Sequence, residues 1–204
     1  MSYVDEDLNL VRYLWHAILN DKFDIYSEVA KQVVDFALDD NKPAILFASS
    51  LTLATGSTID LNAKVSEYSW RSLVAFDGRV VLGGEDNNDL GVLAVVGCNG
   101  NIQGYHTFSL TNNGYSKGEV FFIKKVFADR GKAVVLVVDR NGTARVVDVS
   151  KLGQISEMWT GNLLPITGLN KKEKVVRSVT AIDNNGAFII GGINWIKMLT
   201  VRLK

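Results

Sequence analysis

The strongest constraint on this chain is a unit that recurs along most of its length. Ser72-Leu73-Val74-Ala75-Phe76-Asp77-Gly78 is echoed by Ser178-Val179-Thr180-Ala181-Ile182-Asp183, and more faintly by Lys125-Val126-Phe127-Ala128-Asp129-Arg130-Gly131. The central alanines Ala75, Ala128 and Ala181 stand 53 positions apart, and each copy leads into a second β-rich run at 79–84, 132–138 and 187–192. One small sheet cannot bury both of its faces, so a repeat of this size predicts a series of sheets stacked on their neighbours.

Between these landmarks the chain is written in short β-branched and aromatic runs punctuated by Gly, Asn and Asp, the pattern of strands and turns. Thirteen runs read as strands, from 44–48 and 57–62 through 72–76, 79–82, 91–96, 102–108, 120–127, 133–138, 143–149, 155–159 and 175–182 to 187–190 and 196–203. The Asn-Gly pairs at 99–100, 113–114, 141–142 and 185–186 predict type I′ hairpins, because both residues tolerate positive φ. Antiparallel meanders of about four strands per unit follow from that spacing.

The stretch 133–149, AVVLVVDRNGTARVVDV, resembles the inner hairpin of β-propeller repeats, and Gly83-Gly84 and Gly191-Gly192 after a strand look like kelch or WD-type blades. The resemblance covers residues 44–204 and implies a binding scaffold. No unit carries the Trp-Asp or Gly-His pairs of the WD type or the downstream Tyr and Trp of the kelch type. Similar hairpins also arise in a β-sandwich or barrel, which is the alternative architecture.

Ahead of Pro43 the periodicity differs. Leu8, Val11, Leu14, Trp15 and Ile18 recur at spacings of three and four, as do Tyr26, Val29, Ala30, Val33 and Phe36 or Ala37. This predicts two helices, over 5–20 and 24–38, ending at the Asp39-Asp40-Asn41-Lys42-Pro43 breaker. The expected fold is therefore mostly β behind an N-terminal helical segment, 1–43, with a β-repeat domain over 44–204.

Apolar residues make up 47% of the 204 and charged residues 22%, the balance of an ordinary globular chain. No run approaches the 18 or so consecutive apolar residues that span a bilayer, and the acidic start MSYVDEDLNL lacks a signal peptide's basic and apolar regions. Cys98 is the only cysteine, which excludes an internal disulfide and suits a cytoplasmic protein. With His16 and His106 the only histidines, no Cys/His zinc set can be assembled, and no metal or other cofactor is expected. The net charge is zero, yet residues 1–43 hold nine acidic and four basic side chains and the remainder the opposite excess.

The chemistry-bearing residues read mostly as structure. The cluster Glu85-Asp86-Asn87-Asn88-Asp89 lacks an oxygen ligand at the fifth position of a calcium loop and an acid at the twelfth, so it reads as a solvated turn. His106 shares a strand face with Phe108 and has no triad logic around it. No glycine cluster forms a phosphate loop, and Gly83-Gly84 and Gly191-Gly192 read as places where another sheet comes close. Trp70 and Trp195 read as core; Trp159, at the end of an outer strand before Thr160-Gly161-Asn162, reads as an interface residue. Lys171, Lys172, Lys174 and Arg177 form a basic run without interleaved aromatics, which disfavours stacking on nucleic acid bases and leaves an acidic protein surface as its counterpart.

These readings predict a non-catalytic interaction or scaffold module that binds another protein, or itself, through its β-repeat surfaces, with Trp159, Lys171, Lys172, Lys174 and Arg177 as contact residues. Two alternatives stand beside it. One is an enzyme whose site gathers Asp77, Asp86, Asp129 or Asp183 in a propeller centre or cleft; the other is a viral structural or assembly component. The last unit stops after its third strand, so its edge is expected to be completed by 44–62 or by a second copy or subunit.

Overall fold

The computed structural model describes residues 2–4, 10–13, 26–30, 32–39, 42–108, 120–129, 131–151, 153–164, 174–182 and 186–203, with side chains from residue 32 onward. The described chain is a series of five antiparallel sheets. Sheet I holds β1 (Ser2–Val4), β2 (Leu10–Tyr13) and β3 (Tyr26–Ala30); sheet II holds β4 (Asp35–Asp39), β5 (Lys42–Leu46), β6 (Ser50–Thr52) and β7 (Thr58–Asp60). Sheet III holds β8 (Tyr68–Phe76), β9 (Arg79–Asp86), β10 (Gly91–Val96) and β11 (Ile102–Thr107). Sheet IV holds β12 (Val120–Asp129), β13 (Lys132–Asp139), β14 (Thr143–Lys151) and β15 (Gln154–Asn162), and sheet V holds β16 (Val176–Ala181), β17 (Ala187–Gly192) and β18 (Trp195–Thr200).

In every sheet the strands lie side by side in chain order, so each is a local up-and-down meander, the topology of a propeller blade. The first strands carry the stacking: β4 packs on β8, β8 on β12, and β12 on β16. Three apolar layers result. Leu46, Leu51, Leu73 and Leu82 fill the space between sheets II and III; Val81, Leu93, Ile123 and Val135 that between III and IV; Leu136, Val146, Phe188 and Ile190 that between IV and V. Strand alternation explains this division, since β9 sends Leu82 to one face and Val81 to the other. Each such fully buried side chain contributes about 1.5–3 kcal/mol.

Polar bonds tie the same joints. The Asp35 carboxylate accepts from Ser72 Oγ at 3.0 Å, from the Leu73 N–H at 2.8 Å and from its own neighbour, the Phe36 N–H, at 2.9 Å. Burial pushes the Asp35 carboxyl above its ordinary pKa despite those bonds and the nearby Lys124 ammonium. Ser72 Oγ in turn accepts from the Ile123 N–H at 3.2 Å, and Arg79 Nη1 donates to the Ser150 carbonyl at 3.2 Å, both crossing from sheet III to sheet IV.

The repeat is real in three dimensions, because Ala75, Ala128 and Ala181 each pair one row inside the hairpin joining the first two strands of their sheet. Two expectations need correction. Among the described residues the N-terminal segment is strand where helix was expected: Leu10–Tyr13, Tyr26–Ala30 and Asp35–Asp39 are strands, and 5–9 and 14–25 lie outside the described residues. Pro43 sits within β5, and the one described helix is α1 (Leu61–Val65), capped by Asp60, whose side chain accepts from the Ala63 N–H. The segment 44–62 does not complete the last sheet; with β4 it builds sheet II. The sandwich and barrel alternatives give way to separate stacked sheets. Turn chemistry also moves: both central residues have positive φ at Asp77-Gly78, whereas at 99–100 and 141–142 only the glycine does. Among the described residues no helix is long and apolar enough to cross a membrane.

Candidate binding groove at Trp159

β15 is the outer strand of sheet IV, pairing only with β14, and most of its residues are exposed. The register slips between Val146 and Val147, which pair with Trp159 and Glu157, so Met158 is an inserted residue. A bulge re-aims the side chains around it, and here Met158 and Trp159 line one groove although strict alternation would send them to opposite faces. The Trp159 ring lies along its own strand over Gly161, where any Cβ would stand 2.2 Å from the ring. Gly161 therefore sets the pose of the indole.

The groove has a volume of about 510 Å³ and is closed on its far side by the end of sheet V and the chain beyond it: Leu199, Thr200, Val201, Arg202 and Leu203, with Val146 alongside. The Val201 N–H donates to the Gly186 carbonyl at 2.8 Å, which holds that wall in place. Trp159 is 45% exposed and Met158 54%, so a large aromatic and a polarizable thioether are offered to solvent beside an apolar wall. Among the described residues the lining contains one charged side chain, Arg202, and no carboxylate.

On the opposite face of the same strands an ionic cluster joins sheets III and IV. Arg145, only 2% exposed, stacks on Phe108 with its guanidinium carbon 4.7 Å from the ring centroid, and its Nε lies 3.6 Å from Glu157. Glu157 also meets His106 Nε2 at 3.3 Å and accepts from Thr160 Oγ1 at 2.9 Å. Burial pushes the Arg145 pKa down against the pull of Asp139 and Glu157. His106 stands edge-on to Phe108 at 4.9 Å, as their shared strand face predicts. This cluster ties two sheets together, and its only base is engaged by Glu157.

Of the basic run, Lys174 and Arg177 are exposed at the start of sheet V, and Lys171 and Lys172 lie outside the described residues. The Val176 N–H donates to the Arg140 carbonyl, so Arg177 lies near Arg140, which stacks on Phe121 at 4.1 Å. Arg71 stacks on the same ring and bonds Glu85. The Trp159 groove includes neither Lys174 nor Arg177. Asp77 lies in the turn between β8 and β9, Asp86 ends β9 and Asp129 ends β12, so they stand apart; Asp183 lies outside the described residues. Asp86 Oδ1 accepts from the Asn88 and Leu90 N–H groups, which holds its carboxyl below the usual range. Trp70 and Trp195 are core. Sequence reasoning missed the Arg145–Glu157–His106 cluster because its members come from three strands of two sheets; a lone Arg inside the run 143–149 was the available signal.

No family model matches the chain, and no curated protein matches it. It is similar to a solved structure of a protein of unknown function from Bacteroides caccae, with a TM-score of 0.55 and 12% identity, covering 94% of this chain and 64% of that one. It also superposes on the WD40 domain of SCAP from fission yeast, with a TM-score of 0.47 and 11% identity, covering 98% of this chain and 46% of that one. The chain thus spans less than two thirds of either. The first likeness shows the fold alone, and the second carries no argument about this chain.

Proposed function

We propose that this protein is a non-catalytic interaction module whose Trp159 groove receives an apolar side chain from an extended segment of a protein partner. The observation that carries this reading is the exposed Trp159–Met158 pair, posed over Gly161 against an apolar wall on an outer strand. Buried aromatic anchors surrounded by a polar rim dominate binding energy at protein interfaces, and Thr200 and Arg202 supply such a rim. Lys174 and Arg177, with Lys171 and Lys172 just before them in the chain, favour a partner with an acidic flank. The exposed free thiol of Cys98 suits a reducing, cytoplasmic setting.

The test is selection of peptides from a displayed library on the native chain, followed by affinity measurement with variants. Trp159→Ala should weaken the selected peptides by about thirtyfold, the scale of a hot spot, while circular dichroism and the melting temperature stay close to wild type. Selected peptides that bind Trp159→Ala and Met158→Ala as tightly as wild type would refute the groove reading.

A further inference from the structure

The Trp159 groove pairs an apolar lining with one uncompensated charge. Arg202 is the one charged side chain among the described residues that line it, and its guanidinium has no carboxylate partner among them. Backbone donors stand on the same wall. The Val201 N–H is spent on the Gly186 carbonyl, whereas β18 ends at Thr200 and the N–H groups of Arg202 and Leu203 have no acceptor among the described residues. A guanidinium fork and two unspent N–H groups within two consecutive residues are donors in want of an acceptor, and a carboxylate suits them best. An ion pair formed as an apolar side chain fills the groove is partly shielded from water and is screened less than one in open solvent.

The geometry of an extended partner decides which carboxylate arrives. Successive side chains of an extended segment point to opposite faces, so an Asp or Glu adjoining the residue seated beside Trp159 turns its carboxylate away from the groove. An acid two positions along returns to the same face but stands about 6.6–6.8 Å farther on. The α-carboxylate of a C-terminal residue meets neither obstacle, because it is attached to the same Cα as the seated side chain. Trp159, Met158 and Arg202 line one groove of about 510 Å³, a size that suits one side chain with its own end group better than a longer stretch of chain. Chain termini also lie at protein surfaces as a rule, so such a residue reaches the groove without any unfolding of the partner.

We infer that the groove captures the C-terminal residue of a protein partner, with its apolar side chain between Trp159 and the wall at 199–203 and its α-carboxylate on Arg202. The inference rests on the groove reading given above and names the part of the partner that enters. The two halves of the site then have separate tasks. Trp159 and Met158 supply apolar contact to any suitable side chain, and Arg202 selects the chain end. A chain that continues past the anchor, or one whose end is amidated, offers the guanidinium only a neutral carbonyl, and hydrogen bonds to an ionised acceptor are about twice as strong as neutral ones.

Hexapeptides ending in Leu, Phe, Met or Trp, free of Asp and Glu and made both as free acids and as C-terminal amides, test it by fluorescence polarisation on the full chain. The free acids should bind about tenfold tighter than their amides, and the ratio should fall to about one in Arg202→Gln, which keeps a polar head without the charge. Trp159→Ala should weaken acid and amide in proportion, and circular dichroism checks that both variants are folded. Equal affinity of acid and amide, with Trp159→Ala still weakening both, overturns the inference and leaves the groove reading standing. An acid preference that survives Arg202→Gln places the carboxylate on another cation and overturns it as well. Amides carrying Glu two positions before the apolar residue that match the free acids, and lose that gain in Arg202→Gln, would give the groove to an internal acidic segment instead. A doubled mass in light scattering that the free acids do not reverse would give it to a second copy. Binding that Trp159→Ala leaves untouched, or no binding by any peptide in either form, overturns the groove reading and this inference with it.

Discussion

Adding one methyl group at Gly83 tests whether stacking between successive sheets rests on atomic fit. Gly83 lies outside the left-handed region, so its backbone accepts any residue and only space opposes a side chain. The new Cβ would stand 2.4 Å from Val120 Cγ1 and 2.6 Å from Ile123 Cδ1, both in fully buried side chains. Overpacking of this kind costs about 1–3 kcal/mol, and replacing Gly by Ala within a strand returns about 0.5–1 kcal/mol. Gly83→Ala should therefore lose about 1–2 kcal/mol, a fall of about 2–8 °C in melting temperature for a chain of this size. Val120→Ala alone removes two buried methyl groups and should cost about 2 kcal/mol. In the double variant the methyl added at position 83 takes the space the valine gave up, so the combined loss should fall short of the sum by about 1 kcal/mol or more. Urea unfolding followed by circular dichroism measures all four corners of the cycle. A Gly83→Ala variant as stable as wild type, or losses that simply add, would mean the sheets yield at this joint and the packing argument fails.

Three further outcomes follow from the same geometry. Because burial raises the Asp35 pKa above 3.8, its contribution to stability is complete below that value and is lost as pH rises through the native pKa; Asp35→Asn should remove this downward slope in stabilities measured from about pH 3 to 7, although it leaves a constant loss from the altered Leu73 bond. Asp86 runs the other way, since backbone N–H groups lower its pKa: its contribution is present above 3.8 and fades as pH falls through the native value, so the gap between wild type and Asp86→Ala should narrow in acid unfolding curves. Asp77 holds φ at 50°, which Asp and Asn tolerate and β-branched residues do not, so Asp77→Val should cost about 1–2 kcal/mol in thermal unfolding while Asp77→Asn stays near wild type.

The N-terminal misreading has a physical cause. Tyr26, Val29, Val33 and Phe36 keep helical spacing, but the spacing runs across a break: β3 ends at Ala30, Gln32 takes φ of 55°, and β4 begins at Asp35. Apolar residues from two strands and the bend between them can imitate one helical face, and single-sequence periodicity has no means of seeing the bend. The stretch 133–149 had no such ambiguity, because valine-rich runs of six and seven residues on either side of a turn fit only paired strands. The Trp159 groove was half visible: an aromatic on an outer strand pointed to exposure, whereas the bulge at Met158 and the wall from 199–203 come from register and from a sheet some forty residues away.

By itself the sequence determined that the chain builds small antiparallel sheets in succession, since strand runs, turn residues and the 53-residue echo are local properties that any packing must respect. It also determined that the stretches 1–43 and 171–204 carry opposite charge. Only the tertiary structure decided which face of each sheet is covered. Ser72 and Ser178 sit in matching sequence contexts beside matching glycines, yet among the described residues Ser72 accepts from the Ile123 N–H of the neighbouring sheet and no neighbouring sheet meets Ser178, because burial depends on which sheet packs there and not on the Ser–Gly pair itself.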